Sequence, residues 1–171
     1  FSDKIRSGTL ELLLTKPIGL WNLVIGKFLG GFFLLLFALL PTLVYFIAIN
    51  ELKVDNVSVD WGSTLSGYLG LLFLGSGFLS ISIFSSLLSR NQVTGFLVAT
   101  LIIFFQFYLW SGIADLSHDA LVYNIINEIG MQEHYYSMSL GVIAIKDLIY
   151  FIGLNSFFLY SCTFLLKQIK R

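Results

Sequence analysis

The sequence predicts an all-α fold, a polytopic transmembrane helical bundle with four spans in one transmembrane domain covering 1–171. Three observations carry that prediction. Only 12% of the 171 residues are charged and 57% are hydrophobic, whereas soluble domains carry about a quarter charged residues. Four uncharged runs are long enough to cross a bilayer, which takes about 20 apolar residues in a helix. The basic residues sort onto alternate loops between those runs, the pattern of a multi-pass protein.

Residues 1–27 precede the first span. Within them Ser7-Gly8-Thr9-Leu10-Glu11-Leu12-Leu13-Leu14-Thr15-Lys16-Pro17 is too short and too charged to span a bilayer. Thr9 can cap a short helix, and Glu11 falls in its first turn, where the helix dipole favours an acid. Leu10, Leu13 and Leu14 share one face at i, i+3, i+4, and Lys16 and Pro17 close the helix. The residues alone predict an amphipathic surface helix and leave open whether it docks a partner or only lies on lipid. The chain begins at Phe1 without a methionine or a signal-peptide layout, and is read as the C-terminal part of a longer chain.

The first span is expected at about 28–50, since no charge falls between Lys27 and Glu51. Gly30-Gly31 allow a neighbouring helix close, Pro41 is expected to kink the span, and Trp21 and Tyr45-Phe46 suit the two interfaces. A polar loop, Glu51–Asp60, follows. The second span, about 65–88, is rich in glycine and serine. Its Ser76/Ser80 and Ser82/Ser86 pairs fit close packing within one subunit. They also fit the lining of a translocation path or a dimer seam. Ser89-Arg90-Asn91-Gln92 is a turn so short that the flanking spans must be antiparallel neighbours.

The third span, about 95–112, has Gln106 as its one strongly polar interior residue. A buried amide in lipid needs a partner, either another helix or a substrate. Phe104, Phe105, Phe107, Tyr108 and Trp110 suit an interfacial belt or an apolar lining. The segment 115–147 then holds two uncharged stretches of 8 and 12 residues, Ala120–Asn127 and His134–Ile145, the lengths of re-entrant or interfacial helices. His118 and His134, beside Asp119 and Glu133, match no metal-ligand spacing and are read as solvated surface histidines. The last span, about 148–166, carries Asn155 and Ser156 at its middle and Cys162 as a small apolar filler. A basic tail, Lys167–Arg171, closes the chain.

Orientation follows from charge. Loops 1–27, 89–92 and 167–171 hold eight of the ten basic residues and two acids, while 51–60 and 115–147 hold two basic residues and eight acids. The positive-inside rule puts the first set, and with it Ser7–Pro17 and the C-terminus, in the cytoplasm. No Walker A loop, nucleophile elbow or metalloprotease helix occurs, so no catalytic residue, cofactor, metal or nucleic acid is expected. The uncharged spans also argue against an ion-coupled secondary carrier.

Arg6, Gly8-Thr9-Leu10-Glu11, Leu13-Leu14, Pro17 and Gly26-Lys27 together resemble the first cytoplasmic loop of type-2 ABC transporter (ABC-2) permeases. Gly141-Val142-Ile143 and Asp147-Leu148-Ile149-Tyr150-Phe151 further resemble the gliding-motility permeases of Bacteroidetes within that family. The resemblance implies the C-terminal part of a six-span permease, with a cytoplasmic coupling helix and short extracytoplasmic re-entrant helices. It implies an exporter-like, gliding-motility-associated transporter in the bacterial inner membrane. Its partners would be a separate ABC ATPase subunit and a second permease subunit, as homodimer or heterodimer. The ATPase-coupling residues would be Gly8, Thr9, Glu11, Leu12, Leu13, Pro17 and Arg90. On the residue pattern alone, the path-lining or packing residues would be Ser76, Ser80, Gln106 and Asn155. A non-transporting anchor that relays ATPase motion to a surface machine is the alternative, and a secondary carrier a more distant one.

Overall fold

In the computed structural model, residues 19–52, 60–89 and 91–169 are described, and every regular element among them is helical. The first span is one 33-residue helical stretch, Leu20–Leu52. It consists of α1 (Leu20–Leu39), a 3₁₀ turn (Leu40–Thr42) and α2 (Leu43–Leu52). The second is α3 (Trp61–Leu88), opened by the Asp60 carboxylate accepting from the Ser63 N–H. The third, Gln92–Ala114, runs through α4 (Gln92–Phe104), a π-helical turn (Phe105–Leu109) and α5 (Trp110–Asp115). Two short helices follow, α6 (Ala120–Asn127) and α7 (Met131–Ser139), and the fourth span is α8 (Ile145–Ile169). Of the two expected re-entrant stretches, Ala120–Asn127 folds as α6, while His134–Ile145 is only partly helical. There α7 starts earlier, at Met131, and ends at Ser139, and Ile145 already opens α8, so that α6 and α7 form a short helical hairpin.

The first and fourth helices run beyond their uncharged stretches, the first starting at Leu20 and the fourth spanning Ile145–Ile169, whereas the second and third keep to theirs. A charge such as Lys27 limits what can sit in hydrocarbon, but it does not end a helix whose backbone hydrogen bonds are already made. The residues expected to couple to a partner, Gly8, Thr9, Glu11, Leu12, Leu13, Pro17 and Arg90, lie outside the described residues.

Pro41 acts locally. The 3₁₀ turn absorbs its missing N–H, and the Thr42 hydroxyl donates to the Leu39 carbonyl at 2.6 Å. With that proton spent, Tyr68 Oη donates to Thr42 Oγ1 at 3.0 Å, which ties the turn to α3. Of the glycine pair expected to admit a neighbour, Gly31 faces Leu79 and Gly30 faces nothing within 4 Å.

The second span is the centre of the bundle. Of its apolar window 39% is buried, against 0%, 6% and 22% for the first, third and fourth. Two apolar cores form along it. At the end where α1 begins and α8 ends, Val24, Leu87, Cys162 and Leu166 meet. At the opposite end, which carries the hairpin, Leu74, Ile81, Met131, Met138 and Phe151 meet.

Candidate functional site

The hairpin end is built by α7. Its buried residues Met131, His134 and Met138 are spaced i, i+3, i+7, one stripe on one face. The two methionines seat against α3 at glycines. A β-carbon at Gly77 would lie 2.6 Å from Met131 Cε, and one at Gly70 would lie 3.0 Å from Met138 Cβ. Both pairs are seven residues apart, so two antiparallel helices interlock in register. Ser66 Oγ adds a buried hydrogen bond to the Met138 carbonyl at 2.8 Å. Gly141, at φ +93°, turns the chain from α7 into α8 with a backbone conformation that glycine adopts without strain.

His134 sits between the methionines and faces α8. Its Nδ1 lies 2.7 Å from Asp147 Oδ1, and its Nε2 lies 2.9 Å from the Glu128 carbonyl oxygen. Asp147 is fully buried in the first turn of α8 and His134 is buried beside it. A carbonyl only accepts, so Nε2 carries a proton and donates. One further proton then lies between Nδ1 and Oδ1, and the pair as a whole is neutral. Ser137 Oγ donates to the other carboxylate oxygen, so each side-chain polar atom of the pair has a partner. The Tyr150 ring stacks on the imidazole with centroids 4.0 Å apart.

From Tyr150 the network reaches the third span. Tyr150 Oη donates to the Ile129 carbonyl at 2.7 Å. Gln106 Nε2 donates to Tyr150 Oη at 2.9 Å and to the Ile129 carbonyl at 3.0 Å, and Trp110 Nε1 donates to Gln106 Oε1 at 3.2 Å. Gln106 lies inside the π-helical turn, a widening of the helix that recurs at functional positions. At the solvent edge Lys146 Nζ donates to Glu128 Oε1 at 2.9 Å. That bond and the ammonium charge hold the Glu128 carboxyl below the ordinary glutamate value of 4.5.

The structure therefore corrects one expectation. His118 is exposed, but His134 is buried and paired rather than solvated. Its spacing with Met131 and Met138, together with an acid at the mouth of an uncharged span, was the available signal. Among the described residues no three His, Cys, Asp or Glu side chains converge as a metal site would need.

The other candidate residues separate into two places. Gln106 joins the hairpin network, in the helix-bridging role. Deeper in the bundle, Asn155 Nδ2 donates to Ser76 Oγ at 2.8 Å, and Ser76 Oγ donates to the Phe73 carbonyl at 2.6 Å. This pair borders a cavity of about 330 Å³ walled mainly by Phe28, Phe32, Leu72 and Phe73. Ser80 is buried but bonds its own helix, at the Gly77 carbonyl. Phe104, Phe105 and Tyr108 are exposed and form an outward aromatic belt, while Phe107 packs toward the core.

Four long apolar helices around a glycine- and serine-rich centre, closed at one end by a short helical hairpin, make this a multi-pass membrane protein. The chain belongs to the ABC-2 family of transporter proteins, whose family model, described as ABC-2 family transporter protein, matches residues 3–162. It is the membrane-embedded component of a transporter and not its catalytic subunit. No curated protein and no solved structure matches it.

Proposed function

We propose that this chain is the permease subunit of an ATP-driven, exporter-like ABC-2 transporter in a bacterial inner membrane. It pairs with a second permease subunit and a separate ABC ATPase. The observation that carries this reading is the charge distribution about the four spans: eight of ten basic residues fall on the loops that share a side with Ser7–Pro17. By the positive-inside rule that side is cytoplasmic, where an ATPase resides. The Gly8–Pro17 helix then docks in a groove of the ATPase, with Glu11 pairing at its rim and Leu12 and Leu13 filling it. Arg90, on the second cytoplasmic loop, adds a contact. ATP-driven closure of the ATPases pushes on this helix and tilts the spans. The resemblance of 141–151 to gliding-motility permeases supports a role in surface movement or its associated secretion.

The test is a mild-detergent pull-down of the full-length chain from its native membrane, with Glu11→Ala and Leu13→Asp in parallel. An ATPase that co-purifies with the wild type and is lost or uncoupled in the variants supports the reading. Absence of any ATPase under mild conditions overturns it in favour of a partnerless carrier or an anchor.

A further inference from the structure

The short helix α7 lies between two spans and is held to each in a different way. Against α3 it rests on the Met131–Gly77 and Met138–Gly70 contacts and on the Ser66 bond to the Met138 carbonyl. The methionine contacts have shallow, non-directional wells, so packed helices slide along them in small shear steps. The Ser66 bond can break without orphaning either group, because Ser66 Oγ also reaches the Ser63 carbonyl and the Met138 carbonyl also accepts from the Gly141 N–H. Against α8 it is fixed through His134, whose two ring nitrogens are both bonded, to Asp147 and to the Glu128 carbonyl. Ser137 on the same helix binds the second Asp147 oxygen, and Tyr150, one turn along α8, covers the imidazole face. These bonds are directional and buried, and breaking one leaves a polar group with no water to replace its partner.

We propose that His134 and Asp147 are positioning residues of the transport cycle. They make α7 one rigid body with the first turns of α8, so that α7 follows α8 and slides on α3 when the spans rearrange. The rigid unit stands on the geometry alone, and its part in a cycle rests on the transporter reading above. Proton counting sharpens the claim. In Asp147→Asn the neutral imidazole keeps its Nε2 proton for Glu128, Nδ1 accepts from the new amide N–H, and the amide oxygen accepts from Ser137. All three bonds survive, so this variant preserves the unit. Asp147→Leu removes two of them. His134→Phe keeps a ring against Tyr150 but removes both imidazole bonds.

The experiment uses the full-length permease with its co-purified ATPase in nanodiscs, in a Cys162→Ala background. Spin labels are placed at Tyr136→Cys with Ile152→Cys (α7 to α8), and at Tyr136→Cys with Leu71→Cys (α7 to α3), all exposed positions. Without nucleotide, the α7–α8 distance is expected to be single and narrow in the otherwise native chain and in Asp147→Asn. It is expected to lose that single population in Asp147→Leu and in His134→Phe. With ATP and vanadate, the native α7–α8 distance stays fixed while the α7–α3 distance shifts. The proposal is overturned if both breaking variants keep the narrow α7–α8 population, if Asp147→Asn broadens it as much as Asp147→Leu, or if nucleotide shifts α7–α8 in the native chain. Nucleotide moving neither distance counts against the transporter reading, and the nucleotide-free comparison then decides the rigid unit by itself.

Discussion

At one end of the bundle Val24, Leu87, Cys162 and Leu166 meet in an apolar contact. At the other, Met131, Met138 and Phe151 share the interior with a buried His134–Asp147 pair and the Tyr150–Gln106 chain. The difference matters because of the solvent. Lipid tails are as apolar as leucine, so the first contact gains only packing over what the bilayer offers. The second is directional: it specifies which helix faces which, and its buried members have no water to replace a lost partner. The apolar end can repack when spans tilt, while at the other end the bonds from α7 to α8 keep one arrangement.

The largest expected effect breaks the polar end. His134→Ala leaves Asp147 buried with Ser137 as its remaining side-chain donor, and removing one partner of a buried pair costs about 3–5 kcal/mol. Leu166→Ala at the apolar end is expected to cost about 2 kcal/mol, the low end for a cavity left by a buried leucine. Reversible unfolding of the two variants in mixed micelles measures both. A larger loss for Leu166→Ala would reverse the comparison.

Next comes the interlock between α3 and α7. Gly77→Val drives a side chain into Met131 and is expected to destabilise by about 1–3 kcal/mol through overpacking. Gly30→Ala meets nothing within 4 Å and is expected to be neutral or to stabilise by up to about 1 kcal/mol through helix propensity. The same unfolding measurement separates them, and equal effects would mean that the methionine-in-glycine contact contributes nothing. Gln106→Leu is smaller again. It strips the Trp110 N–H of its acceptor and is expected to cost about 0.6–1.5 kcal/mol, the range of interhelical hydrogen bonds in membranes. Its signature is a change in Trp110 fluorescence in a Trp21→Phe, Trp61→Phe background.

The two ends also differ in how visible they are in the sequence. Four uncharged runs suffice to find four spans, because hydrocarbon penalises charge residue by residue and leaves a linear trace. Gln106 is visible in the same way, as one polar residue in an apolar run. The His134–Asp147 pair leaves no such trace. Its members lie 13 positions apart on either side of a turn that depends on Gly141, and each alone looks like a loop residue near a membrane surface. Likewise Ser76 and Ser80 carry one pattern in the sequence. Only the packing of α8 against α3 gives Ser76 a partner in Asn155 and leaves Ser80 bonded to its own helix.

The smallest expected effect lies at the solvent edge of the same network, and it tests whether the buried pair or its rim holds the hairpin. Glu128 and Lys146 are both about half exposed, and pairs of that kind contribute little and are screened by salt. The Glu128 carboxyl is held below the ordinary value of 4.5 by the Lys146 bond and charge. Its contribution is therefore present above that value and is lost as pH falls through the lower folded value. Lys146→Met is accordingly expected to change stability at neutral pH only slightly, with the difference from wild type vanishing in acid and shrinking in high salt. Unfolding curves at neutral and acidic pH, each at low and high salt, measure it. If Lys146→Met destabilised the hairpin as much as His134→Ala does, the exposed ion pair rather than the buried one would be the fastening. The contrast between a directional interior and a replaceable surface would then fail at the end of the molecule where it is drawn most sharply.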